Sequence, residues 1–483
     1  MIPMTLHDVA PAVGATLRPD GEPVRILGVT TDSRRVRPGD LFFAIVGERF
    51  DGHRFIAEAA SKGAVACVCS RDRFGEGGTG DMSAAPAAAP CLAVGDTVEA
   101  LTRLAAHYRR HVMHDATVVV AVTGSNGKTT TKCMIDHVLS GPFKGRAAPG
   151  SFNNHIGVPL TLLSAERDDH YLVVEIGSNA PGEVEALSAI ASPDVAVITS
   201  IGEAHLEGLE SIDGVAAEKA SLLRHVRPDG LAVVNVDRPE IRPHLGAAQR
   251  AELLTVGTDA SADLRITGVH GDIGNTRFEL DGGYSVELSM PGVHHAVNAA
   301  AAFAVARRFG VGAEEIVGRL RSFTPPEGRT RRLQIGGLTV VDDAYNANPA
   351  SMTAAVGTLR QGAPGRCVLV MGDMLELGPQ SASLHHRAVG AVLEAGIEVL
   401  VAVGATMTNA LRLLDGCHRG TRVVSCADAG AASDALMTIL APGDTVWVKG
   451  SRAMGLDRVV SDLQTRFGNH EPQALACADM RKS

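Results

Sequence analysis

Three observations predict an α/β protein of about three domains built on parallel sheets. A strand, a glycine turn and a helix follow one another at residues 117–130. Apolar runs alternate with helical patterns across 116–328. A second series of strands, each ending in a polar loop, occupies 338–450. Alternation of this kind belongs to parallel sheets covered by helices. At 483 residues, a prior of ~150 residues per domain also gives about three.

The first observation is the most specific. Thr117 to Val122 is a β-branched, apolar run, as expected of a strand buried on both faces. Gly124-Ser-Asn-Gly127 then turns the chain, and Lys128-Thr129 opens a helix whose apolar face is Met134, Ile135, Val138 and Leu139. This is a phosphate-binding loop in its shorter Gly-x-x-Gly-Lys-Thr form, since Val122 stands where the longer form has a glycine. Glycines let backbone N–H groups approach phosphate oxygens, and the helix N-terminus adds positive potential. Lys128 can neutralise terminal phosphates, and the Thr129 hydroxyl can hold Mg²⁺. The expected nucleotide-binding set is Thr123, Gly124, Ser125, Asn126, Gly127, Lys128, Thr129 and Thr130.

Composition narrows the class. A net charge of −9 and pI near 6.1 argue against a general nucleic-acid binder. None of the eight cysteines has paired C-x-x-C spacing, so reduced thiols and a cytoplasmic location are expected. Cys67-Val-Cys69 reads as alternate residues of a strand. No apolar run reaches ~18 residues, and the N-terminus lacks a charged start with an apolar core. No stable membrane association is expected.

The chain divides, in order, into 1–115, 116–328 and 329–483. In the first part, Thr31-Asp-Ser-Arg34 lies between two apolar runs, and a second polar turn covers Gly47 to His53. Such loops could hold a sugar or diphosphate, or be solvated turns. Residues 74–90 read as a flexible loop. In the second part, one strand ends at Glu175 and another just before Gly202-Glu-Ala-His205. Ligands in such sheets sit at the carboxyl edge. Glu175 and His205 are therefore either metal ligands near Thr129 or solvated turn residues. In the third part, strands from Leu338, Cys367, Val399 and Thr445 run into polar loops, and about fifteen final residues are expected to be disordered.

Together these residues resemble the Mur ligases, the ATP-dependent amide-forming enzymes of peptidoglycan precursor synthesis. The resemblance covers nearly the whole chain. It rests on Thr123 to Thr130, Ser151-Phe-Asn-Asn-His-Ile-Gly-Val-Pro159, Glu175, Ala204 to Gly208, and Asp32-Ser-Arg34 with Gly39 to Ala44. Asp342 to Pro349, Gly372 to Gly378 and Val448-Lys-Gly-Ser-Arg452 are similar to the branch that adds D-alanyl-D-alanine to UDP-N-acetylmuramoyl-tripeptide. The first two are poorly shared with the branch that adds a diamino acid.

The resemblance implies an N-terminal UDP-binding domain, a central P-loop ATPase-like sheet and a C-terminal Rossmann-like domain. It implies ATP and Mg²⁺ as cofactors, with Thr129, Glu175 and His205 as metal ligands. Asn153 and Asn154 would lie near the reacting groups, and Asn298, Arg329 and Asp343 would contact ATP. Thr31, Asp32, Ser33 and Arg34 would hold the UDP-sugar, and Tyr345, Asn346 and Asn348 the incoming dipeptide. Position 295, where the family often reads His-Asn, carries no assigned role here. The expected protein is a monomer.

Lys219 has two readings. On a helix face it is ordinarily a solvated ammonium. The family often carries a carbamylated lysine here, which would help position a second Mg²⁺, and burial would favour it by keeping the amine neutral. A nucleotide-dependent switch would use the same loop without amide synthesis, although no Asn-Lys-x-Asp guanine-reading motif is present.

Overall fold

A computed structural model describes residues 1–16, 24–47, 50–73, 90–414 and 420–468. The loop expected at 74–90 (apart from Pro90), Glu48 and Arg49 of the second polar turn, and the tail expected to be disordered lie outside the described residues. The chain forms two compact units. One comprises Met1–Ile201, Ala216–Val256 and Ala301–Val311; the other comprises Gly202–Val215, Gly257–Ala300 and Gly312–Ser483.

The first unit holds two parallel sheets. Strands Gly28–Thr30, Asp40–Phe43, Ala66–Ser70 and Cys91–Val94 pair in that order, all parallel. Cys67, Val68 and Cys69 are all buried, so this strand is covered on both faces, as a parallel sheet requires. The larger sheet centres on Val118–Thr123. Tyr171–Glu175 flanks it on one side and Val195–Ile198 on the other, both parallel to it. Gly145–Ala147 lies beyond the first, and Leu231–Asn235 and Glu252–Gly257 beyond the second. Strand order therefore reverses at Val118–Thr123, and the crevice at its carboxyl end is where a ligand fits.

The second unit contains a six-stranded sheet. Leu338–Asp343, Thr445–Lys449, Cys367–Gly372, Val399–Val403 and Arg422–Cys426 are parallel neighbours in that order. Arg331–Ile335 adds an antiparallel edge through a Gly336-Gly337 turn in which both φ angles are positive. The sheet's carboxyl edge presents Asp343, Lys449 and the Asp373 loop side by side.

An antiparallel meander corrects the expectation of purely parallel alternation in 116–328. Leu264–Gly271, Thr276–Leu280 and Tyr284–Leu288 pair antiparallel. Along Thr276–Leu280 burial alternates strictly, with Thr276, Phe278 and Leu280 inward.

Candidate active site

The glycine loop is fastened from its neighbour strand. Ser125 N–H donates to Ser200 O at 2.8 Å, and Asn126 N–H to Ser200 Oγ at 2.8 Å. Gly124 has φ +143°, and a Cβ there would lie 2.1 Å from Thr199 Oγ1. Gly127 opens the helix Lys128–Leu139 at φ +80°. Both positions need glycine. Lys128 Nζ folds back to Gly124 O at 2.7 Å, so its charge stands over the loop.

Behind the loop is a buried carboxylate. Glu175 is 1 % exposed and ends its strand, as the sequence predicts, but it is not a solvated turn residue. Its Oε1 accepts from Thr129 Oγ1 at 3.2 Å and from Asn153 Nδ2 at 3.0 Å. Its Oε2 lies 3.2 Å from Lys132 Nζ as a charge contact, yet it is buried and accepts no hydrogen bond. Lys132, which sequence reasoning passed over, also donates to Gly150 O. A hydroxyl, a buried carboxylate and an amide oxygen form an oxygen-donor set that suits a hard divalent cation. Asn154 lies beside Asn153, but its Oδ1 is taken up by the Gly157 N–H at 2.9 Å, a turn-capping role.

Lys219 is 1 % exposed. Its helix is fixed by Glu218, which accepts from the N–H groups of Gly182 at 2.7 Å and Val184 at 2.8 Å, at the start of helix Glu183–Ala191. Lys219 Nζ donates to Ser178 Oγ at 2.6 Å. Burial first, and the Lys128 charge second, push its pKa down to about 7. The solvated reading of Lys219 is therefore wrong.

In the same unit, Asp32 caps the turn Ser33–Arg35. It takes Arg34 Nε at 2.9 Å and Nη2 at 2.8 Å, which holds its carboxyl below the usual range. Ser33 is buried, with its Oγ donating to Glu58 Oε2 at 3.0 Å, and Thr31 is half-buried.

The second unit holds the remaining residues. Asp343 Oδ2 accepts from Lys449 Nζ at 2.8 Å and Trp447 Nε1 at 3.4 Å, and the same Nζ donates to Asn346 O at 3.0 Å. The Arg329 guanidinium lies 3.8 Å from the centre of the Tyr345 ring, with Arg452 at 5.3 Å. Asn348 caps helix Pro349–Gly362, its Oδ1 accepting from Ser351 N–H at 2.9 Å.

His295 does have a role. Asn298 Nδ2 meets His295 Nδ1 at 3.1 Å, and His295 Nε2 meets Thr330 Oγ1 at 2.8 Å. Burial holds the ring neutral, so a single tautomer serves: Nδ1 accepts and Nε2–H donates. Thr330 in turn donates to Arg329 O at 2.6 Å. The chain thus links two predicted ATP contacts. Thr330 holds φ +55°, uncommon for a β-branched residue.

His205, also in the second unit, sits at φ +56° with Nδ1 2.6 Å from Glu376, itself at φ +62°. Strained non-glycine backbone of this kind concentrates at functional sites.

Comparison with known proteins matches this arrangement. Residues 25–109 match the Mur ligase family catalytic domain, 122–306 the Mur ligase middle domain, and 328–452 the Mur ligase glutamate ligase domain. The UDP-N-acetylmuramoyl-tripeptide–D-alanyl-D-alanine ligase of Bacillus subtilis is 33 % identical over 96 % of this chain and 99 % of its own. The chain belongs to the Mur ligase family. The Escherichia coli ligase of the same name is 34 % identical to this Mur ligase, again over 96 % and 99 %. The crystal structure of MurF from Acinetobacter baumannii shares 31 % identity at a TM-score of 0.83, covering 96 % of this chain and 99 % of that one. MurF from Thermotoga maritima in complex with ADP shares 28 % at 0.75, over 91 % and 97 %. The diamino-acid ligase fold is also similar, at 18 % identity and a TM-score of 0.54.

Proposed function

We propose that this Mur ligase joins D-alanyl-D-alanine to UDP-N-acetylmuramoyl-tripeptide, using ATP, in peptidoglycan precursor synthesis. The observation that carries the reading is full-length similarity above 30 % to ligases bearing that activity in their names. Boundaries of 1–115 for the UDP-sugar domain, 116–328 for the ATP domain and 329–483 for the ligase domain belong to the same proposal. The enzyme works in the cytoplasm as a monomer; among the described residues, no helix is long and apolar enough to cross a membrane.

A carboxylate is a poor electrophile, so the tripeptide's terminal carboxylate first takes the γ-phosphoryl group of ATP. The free amine of the dipeptide attacks the acyl phosphate, and phosphate leaves from a tetrahedral intermediate. Negative charge develops in both steps, so preorganised cations dominate catalysis. Lys128 supplies one over the loop, and the loop amides hold the phosphates. Thr129 and Glu175 would hold Mg²⁺, with His205 at a second ion; bound there, the metal neutralises phosphate charge. Lys219, as a carbamate, would be an anionic partner for that second ion.

Asn153 orients Glu175. Asp343 holds the ribose, Asn298 the adenine and Arg329 the phosphates, while Tyr345, Asn346 and Asn348 shape the dipeptide site. Thr31 to Arg34 hold the UDP-sugar. Phosphate release separates this reading from a nucleotide switch: a ligase releases phosphate only with ATP, UDP-peptide and dipeptide all present. Equal release from ATP alone would favour the switch.

A further inference from the structure

Three thiols meet in the N-terminal sheet, far in sequence from the catalytic groups. Cys67 and Cys69 point to the same face of strand Ala66–Ser70, and Cys91 stands directly opposite Cys67 in parallel register. All three are free; Cys67 and Cys69 are fully buried and Cys91 is partly exposed. The neighbouring Cys67 thiol, directly opposite in register, favours the anion of Cys91 and holds its pKa below the usual thiol value, while the Cys69 thiol donates to Leu92 O at 3.6 Å. The neighbouring Cys91 and burial raise the pKa values of Cys67 and Cys69.

A soft-metal site is the poorer reading. Among the described residues, the only three His, Cys, Asp or Glu side chains with ligand atoms close enough together to share an ion are Glu166, Asp168 and Asp169. Both His53 nitrogens are also engaged, Nδ1 with Asp51 at 2.7 Å and Nε2 with Ser70 N–H at 2.9 Å.

We propose that Cys91 and Cys67 form a peroxide-sensitive thiol pair that closes to a disulfide beneath the Asp32-Ser33-Arg34 turn. The Cys91 thiolate attacks a peroxide oxygen, the O–O bond breaks, and Cys91 becomes a sulfenic acid as the peroxide leaves as alcohol or water. The Cys67 sulfur then attacks the sulfenic sulfur. The S–O bond breaks, and the hydroxyl leaves as water with the Cys67 proton. Two thiols lose two electrons and one peroxide gains them. Directly opposed strand neighbours lie within the Cα range a disulfide spans. A reversible bond of this kind suits a reducing compartment, where disulfides are transient.

The same cluster packs against Ile56 and Ala59 of helix Ile56–Ser61. From this helix and its cap, Glu58 accepts from Ser33 Oγ at 3.0 Å and Lys62 Nζ donates to Ser33 O at 3.1 Å. Closing the pair therefore acts on the turn that, on the proposed function, holds the UDP-sugar.

The test treats reduced full-length protein with hydrogen peroxide, quenches with iodoacetamide over time, and maps peptides under non-reducing conditions. A Cys67–Cys91 linked peptide that forms first and disappears with dithiothreitol is expected. Cys91→Ser removes it, and Cys69→Ser leaves it. Cys91 modified no faster than Cys367 and Cys426, or no linked peptide, overturns the pair; the wild-type measurement needs no variant to fold. The oxidised enzyme should show a KM for the UDP-peptide raised at least about threefold with kcat kept. A linked enzyme with unchanged KM overturns the coupling to the turn. Because the link is read by mass, its failure is distinct from failure of the ligase assignment.

Discussion

Lys219 Nζ donates to Ser178 Oγ at 2.6 Å inside the first unit, where the strongest charge acting on it is another cation, Lys128. Its pKa, lowered from 10.5 to about 7, leaves much of the amine neutral at neutral pH, and only a neutral amine can add CO₂. Activity is therefore expected to rise with bicarbonate and to fall below about pH 7 as the ammonium forms. Lys219→Ala should cripple turnover and Lys219→Arg should not restore it. A carbamate carbon resonance from ¹³C-labelled CO₂, absent in the Lys219→Ala protein, is the direct readout. A fully active Lys219→Arg enzyme would refute the role. The stability sign is also fixed. Between about pH 7 and 10.5 the unfolded lysine binds a proton that the folded one does not, so stability should rise with pH across that window.

Lys128 contributes charge over the loop and little to the core. Lys128→Ala should keep its melting temperature while losing ~10²–10³ in kcat, the usual result of removing one preorganised charge contact. Near wild-type turnover in a folded variant would contradict the assignment.

Lys132 and Glu175 are each 1 % exposed, and each is the other's charge partner. Removing one should strand the other, at ~3–5 kcal/mol of stability. Urea unfolding of Lys132→Ala, and of Lys132→Met with Glu175→Gln, checks this. The double variant should recover most of the single variant's loss; equal losses would mean that the pair is not coupled.

Trp447 is the chain's single tryptophan, and its Nε1 reaches Asp343 Oδ2. Binding of an adenine nucleotide should therefore change its emission. Asp343→Ala should raise the KM for ATP by about ten- to a hundredfold, as loss of a charge-assisted hydrogen bond of ~1.5–3 kcal/mol implies. Emission unchanged at saturating ATP would place the ribose elsewhere.

Much of the scaffold was legible because fully buried parallel strands are written as continuous apolar runs. The strand end at Glu175 and the strand start at Leu338 came out where they are observed for that reason. The meander at 264–288 escaped, although the strict alternation of Thr276–Leu280 and the Gly282-Gly283 turn carried its signal. The glycine loop is local chemistry and could be read directly. Lys449 beside Asp343 and Glu376 beside His205 could not, since the partners are 106 and 171 residues apart and neither has a local signature. Lys132 hid for another reason: helical spacing places it near the loop, but only burial reveals its carboxylate partner.

The identity of the amine separates a dipeptide-adding ligase from one that adds a diamino acid. A site that hydrogen-bonds a dipeptide's peptide group leaves those groups unpaired when given a single amino acid, which can cost ~10³-fold or more. The deciding measurement is ATP-dependent product mass with each UDP-peptide and each acceptor in turn. A product is expected from UDP-N-acetylmuramoyl-tripeptide with D-alanyl-D-alanine and none from free diaminopimelate or lysine. A product formed instead from UDP-N-acetylmuramoyl-dipeptide and a diamino acid would contradict it.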